Sequence, residues 1–315
     1  MTGAAQPTRA NTGCHRSGVT PGGEAHPRPK SSIVACVDTE PPKAVNSSLH
    51  VVGDVHGHLD ELVRALHAAG LVDTAGHWCA GTGELWFLGD FVDRGPDGVG
   101  VIEFVMALQE QAEQAGGRVT ALLGNHEVLM LGMHRFGDTE VPDGLGLRSF
   151  ERSWTINGGL RRDLDRLTDR HLDWLTGLDV LALTRNHLLM HSDTVEYLDW
   201  GRSIAEVNSA VRTVLTGDDL VEWWECWRRM TTRYSFRGDF GGQVAKEVLD
   251  IFGGQTLVHG HTVISDQLGV PPEQVTEPLR YAGGRVLAVD GGLFIGGPCL
   301  VVPLPYTEPV NPGSA

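Results

Sequence analysis

The sequence has no apolar run long enough to cross a membrane, no Cys-x-x-Cys pair and no excess of positive charge. The first absence excludes a transmembrane helix, which needs about 20 consecutive apolar residues. The five cysteines (Cys14, Cys36, Cys79, Cys226, Cys299) are odd in number and far apart. They argue against a disulfide framework or a structural zinc site and for scattered reduced thiols. The formal net charge of −15 repels nucleic-acid backbones, so no nucleic-acid partner is expected. An acidic protein that handled phosphate would have to hold its positive charge locally, in metal ions and a few arginines. The amino terminus lacks the basic patch and apolar core of a secretory signal. The expectation is a cytoplasmic protein with no membrane partner, its oligomeric state open.

What is present fits one large α/β domain or two small ones: 315 residues, 41% hydrophobic and 21% charged. Residues 1–48 are rich in Gly, Pro, Thr, Ser and Ala without apolar periodicity, and are expected to form a disordered extension. Within them Ile33–Val37 is the one run able to dock as an edge strand. Residues 305–315 read as a loose tail. Between these ends lies the candidate catalytic domain, 49–304. Leu49–Val52, Leu85–Leu88 and Val119–Leu123 read as buried strands, each halting near a glycine. Leu59, Leu62, Val63 and Leu66 share one helical face, and Val99 to Ala115 forms a second helix. A polar, more helical segment follows from about Val128 to Arg185, with turns at Asp143-Gly144 and Gly158-Gly159; its part from about 134 to 185 is expected to act as a cap. Strands return at His187–Met190, Thr256–Val258, Val286–Val289 and Leu300–Val302, with helices over Ser203–Met230 and Gln243–Phe252. Strands alternating with helices predict a largely parallel, covered sheet. No internal repeat is present.

Four short runs carry the chemistry: Gly53-Asp54-Val55-His56-Gly57, Gly89-Asp90-Phe91-Val92-Asp93-Arg94-Gly95, Gly124-Asn125-His126-Glu127 and His259-Gly260-His261-Thr262. Open α/β sheets bind ligands at the carboxyl ends of their strands. There the sequence places Asp54 and His56, then Asp90, Asn125, His191 and His261. Carboxylate, imidazole and amide oxygen together suit Mn²⁺, Fe or Zn²⁺. Gly-Asp alone is a common strand-to-turn dipeptide, and any one run has that plainer reading. Six ligand-type residues at successive strand ends do not. They point to a site for two divalent ions, manganese first with iron or zinc as alternatives, that cleaves phosphate esters.

In this order the motifs resemble the calcineurin-like metallophosphoesterase superfamily and, within it, the phosphoprotein-phosphatase branch. The likeness covers roughly Leu49 to Leu304. The stretch from Gly70-Leu71-Val72-Asp73 to His77-Trp78 is similar to the bacterial Shewanella-like phosphatases. The resemblance implies an α/β fold of two mixed β-sheets packed as a sandwich and flanked by helices. It implies that Asp54 and His56 hold one metal, that Asp90 bridges, and that Asn125, His191 and His261 hold the other. The wider superfamily often ends in Gly-His-x-His; here that last position is Val263, in keeping with the protein-phosphatase branch.

Two ions about 3.5–4 Å apart lower the pKa of a shared water and supply hydroxide for in-line attack on phosphorus. Arg94 offers a planar fork for the phosphate oxygens. His126 is the candidate general acid, and the resemblance pairs it with Asp93, which holds its tautomer. A salt-bridged structural role is the plainer reading of Asp93. A second phosphate arginine is sought near Tyr234-Ser235-Phe236-Arg237-Gly238: Arg237 first, Arg233 next. His58 is not expected to ligate, a supporting or alternative-ligand role is the lesser reading of His259, and Glu127 is expected to cap or pair near the following helix. Trp223, Trp224 and Trp227 read as core or groove wall. The leading function is a phosphomonoesterase acting on phosphorylated protein or a small phosphoester. The alternatives are a dinucleoside tetraphosphate hydrolase, with Trp224, Trp227, Tyr234 or Phe236 against the base, and a non-catalytic binding module.

Overall fold

The computed structural model describes residues 48–142 and 148–308. The expected extension before Ser48, its docking strand, the Asp143-Gly144 turn and residues 309–315 of the expected tail lie outside the described residues. The strands are β1 (Leu49–Val52), β2 (Glu84–Phe87), β3 (Arg118–Ala121), β4 (Leu181–Thr184), β5 (His187–Met190), β6 (Thr256–His259), β7 (Leu279–Tyr281), β8 (Val286–Ala288) and β9 (Val301–Leu304). The helices are α1 (Leu59–Ala68), α2 (Gly98–Gln114), α3 (Asn125–Phe136), α4 (Phe150–Ile156), α5 (Arg161–Arg166), α6 (Asp169–Thr176), α7 (Ile204–Thr216), α8 (Leu220–Thr231), α9 (Gly241–Phe252) and α10 (Ile264–Leu268).

The strands form two sheets, ordered β3-β2-β1-β9 and β4-β5-β6-β8-β7. In each, three adjacent strands run parallel: β1, β2 and β3 in one, with β3 at its edge, and β5, β6 and β8 in the other. The antiparallel strands β9, β4 and β7 close the edges. Period-2 alternation explains how the layers stack. Leu49 and Val51 of β1, Trp86 of β2, Leu189 of β5, Val258 of β6 and Leu287 of β8 form one buried cluster between the sheets. Their neighbours Val52, Leu85, Phe87, Leu188, Leu257 and Val286 point the other way, into the core shared with the helices. Both faces of the central strands are therefore apolar, as parallel strands require. The result is the α/β sandwich of two mixed sheets flanked by helices that the resemblance implied.

Three elements differ from the sequence expectation. The segment expected to be helical up to Arg185 ends in strand β4, where Leu181, Ala182 and Thr184 are buried and Leu183 is exposed. Strand β7 was not anticipated. The helix expected over Ser203–Met230 is two helices, because Asp219 caps α8 by accepting the N–H groups of Val221 and Glu222 at 2.8 and 3.1 Å. Cys79, Cys226 and Cys299 are free. Among the described residues no helix is long and apolar enough to cross a membrane.

Candidate metal centre

The ligand-type residues follow the carboxyl ends of the parallel strands. Asp54 and His56 follow β1, Asp90 follows β2, Asn125 opens the helix after β3, His191 follows β5 and His261 follows β6. The backbone there is strained. Five of the eight non-glycine residues with positive φ among the described residues lie here: His56 (45°), Asp90 (54°), Asp93 (65°), Arg94 (68°) and His261 (61°). L-residues avoid this region, and such strain gathers at functional sites. It is held in place by hydrogen bonds between the loops. The N–H groups of Val55 and His56 both donate to Asp90 O, at 3.0 and 2.9 Å. A Cβ on Gly260 would overlap Asp54 Oδ1, so only glycine lets that loop approach the carboxylate.

Asp90 lies between two histidine groups. His56 Nε2 is 3.6 Å from its Oδ2, and His191 Nε2 is 3.4 Å from its Oδ1. Asp54 Oδ2 is 3.9 Å from His56 Nε2, on the Oδ2 side. Asp90, His191 and His261 offer ligand atoms within 4.8 Å of one another, as do His56, Asp90 and His126. The ring nitrogens are assigned by their partners. His56 Nδ1 lies 2.9 Å from Val92 O and His191 Nδ1 lies 2.8 Å from Leu88 O. A carbonyl only accepts, so both Nδ1 atoms carry the proton and Nε2 is left with a lone pair. For His191 that lone pair faces Asn125 Oδ1 at 2.9 Å, two acceptors that a shared cation reconciles. His261 uses Nε2 on Thr231 O at 3.0 Å and donates its backbone N–H to Asp54 Oδ1 at 2.9 Å.

The electrostatics favour a cation. Burial pushes His56, His191 and His261 below the usual histidine range, toward the neutral form that ligates metal. Burial also opposes the charge on Asp90, whose pKa is held low by the surrounding imidazoles, His191 foremost, while its Oδ1 accepts the His126 N–H at 2.9 Å. Protons cannot satisfy both demands, since imidazoles that are neutral cannot compensate the carboxylate. A divalent ion does, and the donor set of carboxylate, imidazole and amide oxygen suits one.

Arg94 and His126 face this cluster. Arg94 donates from Nη1 to His56 Nε2 and from Nη2 to His126 Nε2, both at 2.9 Å, and stacks 4.0 Å over the Phe294 ring. Ligation by His56 would need Nη1 to withdraw, which frees the guanidinium fork for another anion. His126 Nδ1 is 2.8 Å from Asp93 Oδ2. Arg237 makes no hydrogen bond to these groups among the described residues, and its Nη2 is buried without a partner. Its guanidinium lies 3.7 Å over Tyr234, and its charge bears on His259 and Tyr281. Arg233 bears instead on His191, His261 and Asp290. His259 is turned to Tyr281 Oη at 2.9 Å, and His58 Nδ1 lies 3.7 Å from Glu61.

Glu127 caps α3 as expected, and three further contributors, Trp154, Phe294 and Asp290, carry little signal in the sequence. Glu127 ties two motifs together: Oε2 accepts from Asp90 and Gly124 N–H at 2.8 and 2.9 Å, and Oε1 from Phe91 N–H at 2.7 Å. Trp154, from α4, donates to Asp93 Oδ1 at 2.8 Å. Phe294 is the platform under Arg94. Asp290, after β8, is 1% exposed and lies against the Asp54 side of the cluster. Its signal was an apolar run, Val286–Val289, ending in Asp290-Gly291 rather than Gly-Asp.

Comparison with known proteins agrees with this geometry. The chain is 31% identical over 132 residues to Shewanella-like protein phosphatase 2 of Arabidopsis thaliana, covering 41% of this chain and 33% of that protein. It is 29% identical over 175 residues to a symmetrical bis(5'-nucleosyl)-tetraphosphatase of Bordetella parapertussis, covering 53% of this chain and 52% of the relative. The chain thus spans between a third and about half the length of these curated relatives. Among solved structures, the cold-active protein-tyrosine phosphatase of a psychrophilic Shewanella superposes with a TM-score of 0.62 at 23% identity, over 82% of this chain and 75% of the other, which is a likeness of fold. A family model described as calcineurin-like phosphoesterase matches residues 48–265, well over half of the chain and every ligand-type residue named above. The chain belongs to the calcineurin-like phosphoesterase family.

Proposed function

We propose that the protein is a dinuclear metal-dependent phosphomonoesterase acting on phosphorylated protein. The observation that carries this reading is the placing of Asp90, with one oxygen toward Asp54 and His56 and the other toward His191, Asn125 and His261. In this reading Asp54, His56 and Asp90 would hold one ion, and Asp90, Asn125, His191 and His261 would hold the other. Manganese is the ion of choice for that set. When bound, such a pair supplies a hydroxide nucleophile near neutral pH and a counter-charge for phosphate. The chain's own residues do the rest. Arg94 clamps phosphate oxygens in a bidentate fork, and Arg233, whose charge bears on the same cluster, is the second arginine in place of Arg237. His126, oriented by Asp93, protonates the leaving oxygen.

The Shewanella-like phosphatase relative supports a phosphoprotein substrate, and a cytoplasmic setting is proposed with it. The tetraphosphatase relatives favour a second reading, a dinucleoside polyphosphate substrate. Two of the four side chains considered for a base-binding wall do not serve it, because Phe236 is 0% and Trp224 5% exposed. Tyr234, 41% exposed, and Trp227 would have to form the wall. The test is hydrolysis of p-nitrophenyl phosphate by metal-stripped protein before and after Mn²⁺, followed by phosphopeptides and diadenosine tetraphosphate. Turnover restored by metal and absent in Asp90→Asn is the expected result. Inactivity with two ions bound would overturn the reading.

A further inference from the structure

Five of the six parallel strands deliver an expected ligand at or just beyond their carboxyl ends. The sixth, β8, delivers Asp290. This carboxylate is 1% exposed. Its Oδ1 accepts the Gly292 N–H at 2.9 Å, which closes a turn around a left-handed glycine. Its Oδ2 is buried and has no hydrogen-bond partner among the described residues. The turn therefore accounts for one oxygen and leaves the other unexplained.

The backbone fixes where that oxygen sits. A Cβ on Gly53 would meet Val289 O at 2.8 Å and Asp290 Cα at 3.2 Å, so the chain at 289–290 packs directly on the residue before Asp54. From the other side Gly260 closes on Asp54 Oδ1. Asp54 and Asp290 are thus packed together within the core. After burial itself, the charge of Asp290 is the largest influence opposing ionisation of Asp54, and Asp90 opposes Asp290 in turn. A buried carboxylate oxygen without a partner is strongly unfavourable, and a second buried carboxylate packed beside it adds like-charge repulsion. A cation between them removes both penalties at once.

We propose that Asp290 is a further anionic partner of the cation held by Asp54 and His56, with Oδ2 presented to that ion. The inference rests on the dinuclear reading above and adds a carboxylate that none of the four motifs contains. It makes the first site richer in negative charge than the second, whose remaining ligands are neutral Asn125, His191 and His261. The first site should accordingly be the tighter of the two for a hard divalent ion.

Asp290→Asn separates the two roles of the side chain. The amide keeps an oxygen for the Gly292 N–H and loses the negative charge. Mn²⁺ binding to metal-stripped wild type and variant is followed by calorimetry, with melting temperatures of both metal-free proteins measured alongside. The expected result is two sites in the wild type, and in the variant one site weakened about 10–100-fold with the other unchanged. The metal-free variant should melt at or above the wild-type temperature, because a like-charge contact has gone. Two sites of wild-type affinity in Asp290→Asn would overturn the inference and leave the dinuclear reading standing. A wild type that binds no metal would overturn both. Should the variant not fold, the anomalous-difference map of Mn-loaded wild-type crystals decides. Oδ2 turned toward the ion on the Asp54 side is expected, and Oδ2 bonded only to protein would reject the proposal.

Discussion

Asp93 Oδ2 lies 2.8 Å from His126 Nδ1, and both side chains are buried. A carboxylate accepts, so Nδ1 carries the proton and Nε2 faces the cluster, where Arg94 Nη2 now donates to it. Once Arg94 turns to a phosphate, Nε2 is free to carry the proton that a leaving oxygen needs. His126→Asn should lower kcat about 10²–10⁴-fold on alkyl phosphates and far less on p-nitrophenyl phosphate, whose leaving group needs no acid. Metal content should be unchanged. Full activity of this variant on an alkyl phosphate would remove His126 from the acid role.

Trp154 holds the other oxygen of Asp93, which ties α4 to the Asp93–His126 pair. Trp154→Phe keeps most of the buried ring and removes the donor. It leaves a buried carboxylate oxygen unsatisfied, at a cost of about 1–3 kcal/mol. Urea unfolding should show that loss together with reduced kcat at normal Mn²⁺ stoichiometry. A variant with wild-type stability and kcat would mean that Asp93 is oriented without α4.

How much of this was legible follows from what each feature writes into the sequence. That Asp54, Asp90, Asn125 and His261 come together could be read because apolar strands stop at glycine and a ligand-type residue follows, a pattern that spans only two or three residues. Asp290 obeys a related grammar with the order reversed, and Asp-Gly after a strand reads as a turn. Trp154 is 61 residues from Asp93, and nothing local marks an indole as a donor to a distant carboxylate. The edge strand β7 was missed because three residues are too few to establish a period, and β4 because its Leu-Ala-Leu suits a helix as readily as a strand. The choice between Arg237 and Arg233 rests on one short loop. Which of two arginines four residues apart faces a site depends on side-chain direction, which sequence spacing there does not encode.

Arg233 and Arg237 should separate in kinetics. Arg233 bears on His191, His261 and Asp290, whereas Arg237 stacks on Tyr234. Arg233→Ala should cut kcat/KM about 10²–10³-fold, the size of losing a preorganised charged donor. Arg237→Ala should mainly cost stability, about 0.5–2 kcal/mol for a partly buried cation–π contact. The reverse ranking in kcat/KM would return the phosphate-binding role to Arg237.

The metal-stripped protein should become less stable as pH rises from about 7 to 8. Burial, then the charges of neighbouring carboxylates, push Asp54 well above its ordinary range and Glu127 up to about 8. Burial, opposed by the Gly292 N–H, with Asp90 adding to it, brings Asp290 up to about 7. In the unfolded chain these groups titrate near pH ~4. Between the two ranges the native state binds more protons than the unfolded state, so stability falls with pH. Below about pH 6.5 the buried histidines act in the opposite sense, because His56, His191, His259 and His261 are pushed down and the unfolded chain binds their protons. The window above neutrality is therefore the informative one. Mn²⁺ competes with the protons held by these carboxylates, so the rise in melting temperature on adding metal should grow between pH 7 and 8. A metal-free melting temperature that is flat or climbs across that interval would show that the carboxylates are already compensated by the protein, and that the site has no electrostatic need of a cation.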